Sequence, residues 1–440
     1  MIKKAFAVVV LLLLISSLYA QKSTVVAGPL LGYVDFREAC VWVQVNKEAK
    51  LTLKYFAHPD TVYETSAVIA KQETHYSAKL ILTNIEPART YTYQVWINGK
   101  QAAPKKNFSL KVPALWKWRG DPPAFKFATG SCHYANQTIH DRPGTPYGDT
   151  LPGIFNSIVT KQPEFMLWLG DNIYLREPDW NSKTGVYKRY DHVRSNPELN
   201  NLFSFCPNYA IWDDHDFGPN NADRGFWNKQ TTLQAFKDYW PNPSFGVNGE
   251  EGITTYFNYA DADFFLLDDR YYRSPEKTPV YDAEVLGATQ LQWLKDNLLA
   301  SGSKFKFIAV GSQFLNTSEE AGETFVSAPK ERQEIISFIH KHKIKNVIFL
   351  TGDRHHSEIS TLKTDSLPTI YDVTVSPLSS GAGNRAQQEK NTLRVDGTLI
   401  TGKRNFATLE ITGARNQRVL TIVYYGREGE EINRFQISAE

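Results

Sequence analysis

The sequence predicts a layered α/β domain preceded by a small β-sandwich, and two observations carry that reading. Residues from about 24 to 118 hold only strand-like runs, in which apolar and polar positions alternate as in "CVWVQV" and "KLTLKYF". After Pro122-Pro123 short apolar runs alternate with helical segments such as "TQLQWLKDNLLA" and "RQEIISFIHKHK", the pattern of a sheet covered by helices.

Before the first strand, Lys3 and Lys4 precede an apolar run over 5–15, and Ser16-Ser17-Leu18-Tyr19-Ala20 offers a small-residue cleavage site ahead of Gln21. Residues 1–20 therefore read as an export signal and predict a secreted or periplasmic protein. No other stretch approaches the roughly 20 apolar residues of a membrane span. Removing the signal takes two lysines from a formal charge of +2 and leaves about zero. That balance lacks the basic footprint of nucleic-acid or anionic-membrane binding. The cysteines, Cys40, Cys132 and Cys206, are odd in number, and a Cys40–Cys206 bridge would leave Cys132 free.

Within the sandwich, "YSAKLILTNIEPARTYTYQVWING" sets two strands on either side of a turn at Pro87. A proline turn ahead of Thr-Tyr-x-Tyr resembles an edge of a fibronectin-type-III domain, and the region reads as a packing module without chemistry of its own.

The α/β domain, 124–440, repeats one grammar. "FKFATGSC" ends at Cys132, "FMLWLGD" at Asp171, "YAIWDDHD" at 213–216, "FFLLDDR" at 268–270, "FKFIAVGSQ" at Gln313 and "VIFLTGDRHH" at 353–356. Each is a buried-type strand whose carboxyl end carries polar, mostly metal-competent side chains, and ligands collect at those ends in layered α/β folds. Asp171, Asp214, Asp353 and His355 form a hard-to-borderline donor set suited to iron, manganese, zinc or calcium. Clustered carboxylates without a cation would repel one another, so their convergence predicts a metal site.

Taken together, "GSC", "GDNIY", "WDDHD" followed by "NN", "LDDRYYR", "LGATQLQWL", "GSQ", "GDRHH" and "SPLSSG" resemble the alkaline phosphatase D (PhoD) family of calcineurin-like metallophosphoesterases. The resemblance spans nearly all of the chain after the signal. It implies a two-sheet catalytic domain behind the sandwich. It also implies an iron ion (Fe3+) held by Cys132 and Tyr174, with calcium alongside. Asp171 falls where a bridging carboxylate belongs, Asp214 and the amide of Asn221 serve a neighbouring cation, and Asp353 and His355 complete the metal set. His215 takes the place of a general acid or electrostatic helper near the leaving oxygen, and Arg270, with Asp268, either braces the site or binds phosphate oxygens. Two departures stand out: Arg354 replaces a small apolar residue in "GDRHH", and Asp216 replaces a glutamate.

The implied chemistry is hydrolysis of a phosphate ester, in which cations lower the pKa of a water for in-line attack on phosphorus. Substrates would be small-molecule or lipid phosphate esters. A phosphodiesterase or phospholipase on the same site is the nearest alternative, and a non-catalytic surface binding protein a more distant one.

Overall fold

The structure is a computed structural model describing residues 22–319 and 322–440; the leader expected over residues 1–20 lies outside the described residues. The alternating runs at the start become antiparallel strands in two sheets. One joins Val25–Val34, Ala39–Val45 and Ser77–Leu82; the other is built around Ala49–Phe56 and Thr90–Ile97. Their inward residues, among them Val41, Val43, Leu51, Leu53, Leu80 and Tyr93, make a separate core. At the Pro87 turn the Tyr91 hydroxyl accepts from the Glu86 backbone N–H at 3.1 Å, a tyrosine corner that fixes the chain reversal.

The three-stranded sheet is docked firmly on the α/β region. The Trp42 indole donates to the Asp238 carbonyl at 2.9 Å, Gln44 donates to the Asp191 carboxylate at 2.6 Å, and the buried Lys79 ammonium donates to the Trp240 carbonyl at 2.8 Å. Trp42 belongs to the core of the α/β region, not to that of the sandwich.

The α/β region itself has two six-stranded sheets. The first runs Asn208–Ile211, Met166–Leu169, Phe125–Gly130, Asn405–Thr412, Val419–Gly426, Glu431–Ser438, and the second runs Thr255–Tyr259, Ala262–Leu266, Phe305–Ala309, Val347–Thr351, Ile370–Thr374, Glu358–Leu362. They face each other across an aromatic layer in which Phe127 meets Phe165, Phe264 and Phe307 at ring distances of 4.9, 5.3 and 5.4 Å. Strand alternation sends the next residues outward. Phe265 and Ile308 pack with Leu291, Leu294, Ile335 and Ile339 of the helices Ala288–Ala300 and Pro329–Lys341. Trp168, on the other sheet, lies against Phe203 and Trp240.

The neighbours Phe125–Gly130, Met166–Leu169 and Asn208–Ile211 pair in parallel, as do Ala262–Leu266, Phe305–Ala309 and Val347–Thr351. All six polar strand endings of the sequence therefore leave the sheets at their carboxyl ends, and those of each sheet emerge along one edge.

Candidate metal centre

Glycine lets these endings come together. A Cβ at Gly170, whose φ is +90°, would lie 2.7 Å from Asp213 Cβ, and one at Gly311 would lie 2.4 Å from the Asp213 carboxyl carbon. The residues after the glycines then turn sharply. Cys132, Asp171, Asp353 and His355 all have positive φ, 61°, 52°, 62° and 56°, as does Asn221 at 61°. Non-glycine residues hold this left-handed backbone only where the surroundings impose it, and such strain gathers at functional sites.

Three overlapping groups result, in each of which the ligating atoms lie within 4.8 Å of one another: Cys132–Asp171–His355, Asp171–Asp214–His215 and Asp213–Asp214–Asp353. Cys132 Sγ is 3.6 Å from Asp171 Oδ2 and accepts from the Ser376 hydroxyl at 3.2 Å. The Tyr174 hydroxyl is 3.2 Å from His355 Nε2, and its ring lies 4.1 Å from that of His215. His355 Nδ1 is 2.6 Å from the Gly381 carbonyl, which can only accept, so the ring proton sits on Nδ1 and Nε2 keeps its lone pair towards Tyr174.

Electrostatics mark the cluster as a cation site. Burial first, then neighbouring acidic groups, lift the Asp171 and Asp353 carboxyls well above the usual range. Burial likewise raises Asp213 despite Arg270. Asp214 is held low against burial, chiefly by His215, then by Arg270 and the Asn221 N–H. Burial pushes the Cys132 thiol up to about 12 and raises the Tyr174 phenol well above its ordinary value, while His355 falls to about 4. The buried oxygens Asp213 Oδ2 and Asp214 Oδ1 have no hydrogen-bond partner. Buried charge left unpaired costs several kcal/mol, about what a cation bound there would remove. Thiol, phenol, imidazole and carboxylate side by side fit a transition-metal ion, and the all-oxygen group fits a hard cation.

Several expected residues stand elsewhere in the scheme. Arg270, expected either to brace the site or to bind phosphate oxygens, is fully buried; its Nε donates to Asp213 Oδ1 at 2.5 Å and its Nη2 to Glu323 at 3.0 Å, so it braces a carboxylate, while its Nη1 has no partner. Asp268 accepts from the Trp212 indole and the Arg270 and Tyr271 N–H groups, a structural role. Asn221 meets the cluster through its backbone, donating to Asp214 Oδ2 at 2.6 Å; its side-chain oxygen accepts from Asn220 and its amide nitrogen donates to Glu276. Asp216 turns back to accept from the Asn172, Ile173 and Asp213 N–H groups, so its short side chain costs no ligand. His356 lies beside Glu358 at 3.6 Å, and Arg354 is paired with Glu389. All three cysteines are buried free thiols, without a Cys40–Cys206 bridge. Asp213 and Glu323 join the site without having been singled out. Asp213 is legible as the first acid of "WDDHD", whereas nothing in the loop sequence around Glu323 signals its place.

Two facing sheets flanked by helices, with polar endings gathered at the carboxyl ends of parallel strands, define a calcineurin-like metallophosphoesterase fold. The PhoD-like phosphatase family model matches residues 144–416, and the chain belongs to that family. A domain family of unknown function, DUF7800, matches residues 22–115. Alkaline phosphatase D of Bacillus subtilis (strain 168) is 24% identical over 344 residues, covering 68% of this chain; the match spans 56% of that relative's length. The solved structure of PhoD superposes with a TM-score of 0.74 at 18% identity, covering 93% of this chain and 91% of the other. Purple acid phosphatase PPD1 from yellow lupin (Lupinus luteus) superposes at 0.65 and 12% identity, covering 93% and 74%. At such identities the structural likeness is one of fold.

Proposed function

We propose that this protein is an exported, metal-dependent hydrolase of phosphate esters. The observation that carries the reading is the cluster of Cys132, Asp171, Asp213, Asp214, Asp353 and His355, in which burial and neighbouring acids raise the carboxyls of Asp171, Asp213 and Asp353 and two carboxylate oxygens lack any partner. Family membership supports phosphate esters as the substrate class. Export rests on the leader-like residues 1–20.

Cys132, Tyr174, His355 and Asp171 would hold one ion, for which iron is our assignment: a thiolate and a phenolate are electron-rich donors that suit ferric iron. Asp214, Asp213 and Asp353 would hold a second, all-oxygen ion, for which calcium is our assignment, with Asp171 between the two. Bound there, the cations would lower the pKa of the attacking water and neutralise charge on the phosphoryl oxygens.

The chain's own groups orient the reaction. His355 is fixed in one tautomer by Gly381, and Asp171 is tied down by the His215 backbone N–H at 3.2 Å. Burial keeps the His215 imidazole below its ordinary range, so near neutral pH it offers one N–H and one lone pair. It therefore serves by donating a hydrogen bond near the leaving oxygen more than by carrying charge.

The test is hydrolysis of a chromogenic phosphate monoester and a diester by the purified protein, before and after chelation, with metal content measured alongside. Chelator-sensitive turnover that returns with the metal is the expected result. Metal-free protein with full activity, or metal-replete protein with none on either ester, would end this reading.

A further inference from the structure

The stretch "SPLSSG", Ser376 to Gly381, wraps around Cys132. The Cys132 carbonyl accepts from the Ser379 and Ser380 N–H groups at 3.2 and 3.1 Å, and the Leu378 N–H donates to the Ser131 carbonyl at 2.8 Å. Ser376 opens the stretch, just after the strand Ile370–Thr374, and is fully buried. Its backbone is fixed on both sides. The N–H donates to the Ser357 hydroxyl at 3.0 Å, and the carbonyl accepts from the Asn405 side-chain amide at 3.0 Å.

So anchored, the Ser376 hydroxyl meets two of the expected ligands at once. It accepts from the His355 N–H at 3.0 Å and donates to Cys132 Sγ at 3.2 Å. Cys132 follows a strand of the first sheet and His355 a strand of the second, so one hydroxyl joins ligands carried by different sheets. A second hydroxyl lies almost as near the sulfur, that of Ser131 at 3.4 Å, but its hydrogen goes to the Val375 carbonyl at 2.9 Å. The Tyr174 hydroxyl is also beside the sulfur, yet as a ligand phenolate it would have no hydrogen to give. That leaves Ser376 as the donor to the sulfur among the described residues.

We propose that Ser376 is a positioning residue of the metal centre, whose hydroxyl sets how strongly the Cys132 thiolate donates to the ion. The proposal rests on the assignment of iron to Cys132 and Tyr174. A hydrogen bond to a thiolate draws electron density away from the metal–sulfur bond, and such bonds are among the controls on the potentials of iron–sulfur and copper–thiolate sites. A sulfur that gives less leaves more of the cation's charge to act on the phosphate ester. Without the hydrogen bond the thiolate would donate more, favouring the ferric over the ferrous ion, and the reduction potential would fall.

The test uses the protein as purified and compares wild type, Ser376→Ala and, as a control, Ser131→Ala. Iron content, the visible charge-transfer band, the reduction potential, and the iron–sulfur stretch by resonance Raman in light water and after full exchange into heavy water are measured on each. Wild type should show a stretch that shifts on deuteration, because the hydrogen on the Ser376 oxygen is exchangeable. Ser376→Ala should keep its iron, lose the deuterium shift, move the band and lower the potential, with kcat/KM for a phosphate monoester down about tenfold. Ser131→Ala should match wild type in stretch, band and potential. A deuterium-insensitive stretch in wild type overturns the proposal, whether or not Ser376→Ala folds or holds iron. So does a Ser376→Ala protein with the band and potential of wild type, which would make the serine a support for the His355 backbone alone, or an equal change in both variants. A colourless wild type without iron removes the iron assignment and the proposal with it, a result none of the other outcomes resembles.

Discussion

Cys132 Sγ and Asp171 Oδ2 lie 3.6 Å apart, at the ends of two parallel strands, with both side chains fully buried and both residues in left-handed backbone. Neither group ionises readily there: burial lifts the thiol to about 12 and the carboxyl well above its usual range. A cation between them would ionise both and remove the repulsion at once.

With ferric iron on Cys132 and Tyr174, thiolate and phenolate would give a charge-transfer band in the visible. The purified protein should be coloured, and Tyr174→Phe or Cys132→Ser should shift or abolish the band with little change in circular dichroism. A colourless, active enzyme carrying zinc would refute the iron assignment, because a filled d shell gives no such band.

Asp171→Asn keeps the size of the side chain and removes the charge shared by two of the ligand groups. Turnover should fall by at least about 100-fold while the protein still folds. Near-normal steady-state rates would remove Asp171 from the centre.

Arg270→Met separates bracing from substrate binding. Taking away one partner of a fully buried ion pair destabilises by roughly 3–5 kcal/mol, so the denaturation midpoint should drop sharply. A stable variant with a raised KM would instead put Arg270 against the substrate.

Stability of the metal-stripped protein should depend on pH in an unusual direction. Asp171, Asp213 and Asp353 have folded-state pKa values raised by burial, with Asp214 alone among the four carboxyls held low. A raised carboxyl stabilises the fold below its unfolded value of about 3.9, and that contribution is lost as pH rises through the folded value. The stripped protein should therefore melt lower near about pH 8 than near about pH 5.5, and restoring cations should reduce or reverse the difference. Calorimetric melts that rise with pH in the stripped protein would contradict it.

The fold is written plainly in the sequence because its signals are local. Alternation in "CVWVQV" and the greasy runs before Gly170 and Gly352 follow from which faces are buried, and periodicity records burial. Polar endings are legible for the same reason, since a carboxylate after five apolar residues has little structural excuse. What periodicity does not record is the partner a buried charge finds. Arg270 and Asp268 sit in the same "LDDR" ending as any ligand would, and only the neighbouring strand, bringing Asp213 and Trp212, makes them braces. Glu323 lies in a loop without a repeating pattern, so its approach to the cluster depends on long-range packing that a single sequence does not encode locally.

The left-handed backbone at Asp171, Asp353 and His355 sets the centre against the rest of the molecule. Each such residue costs on the order of 1–3 kcal/mol, a cost that glycine would largely avoid and asparagine would reduce. Heat resistance and catalysis therefore pull these positions in opposite directions. A random library challenged only by heating, with no demand for turnover, should drift to glycine or asparagine at 171 and 353 and yield robust, inert descendants. Only continued use of the metal keeps acids at those positions.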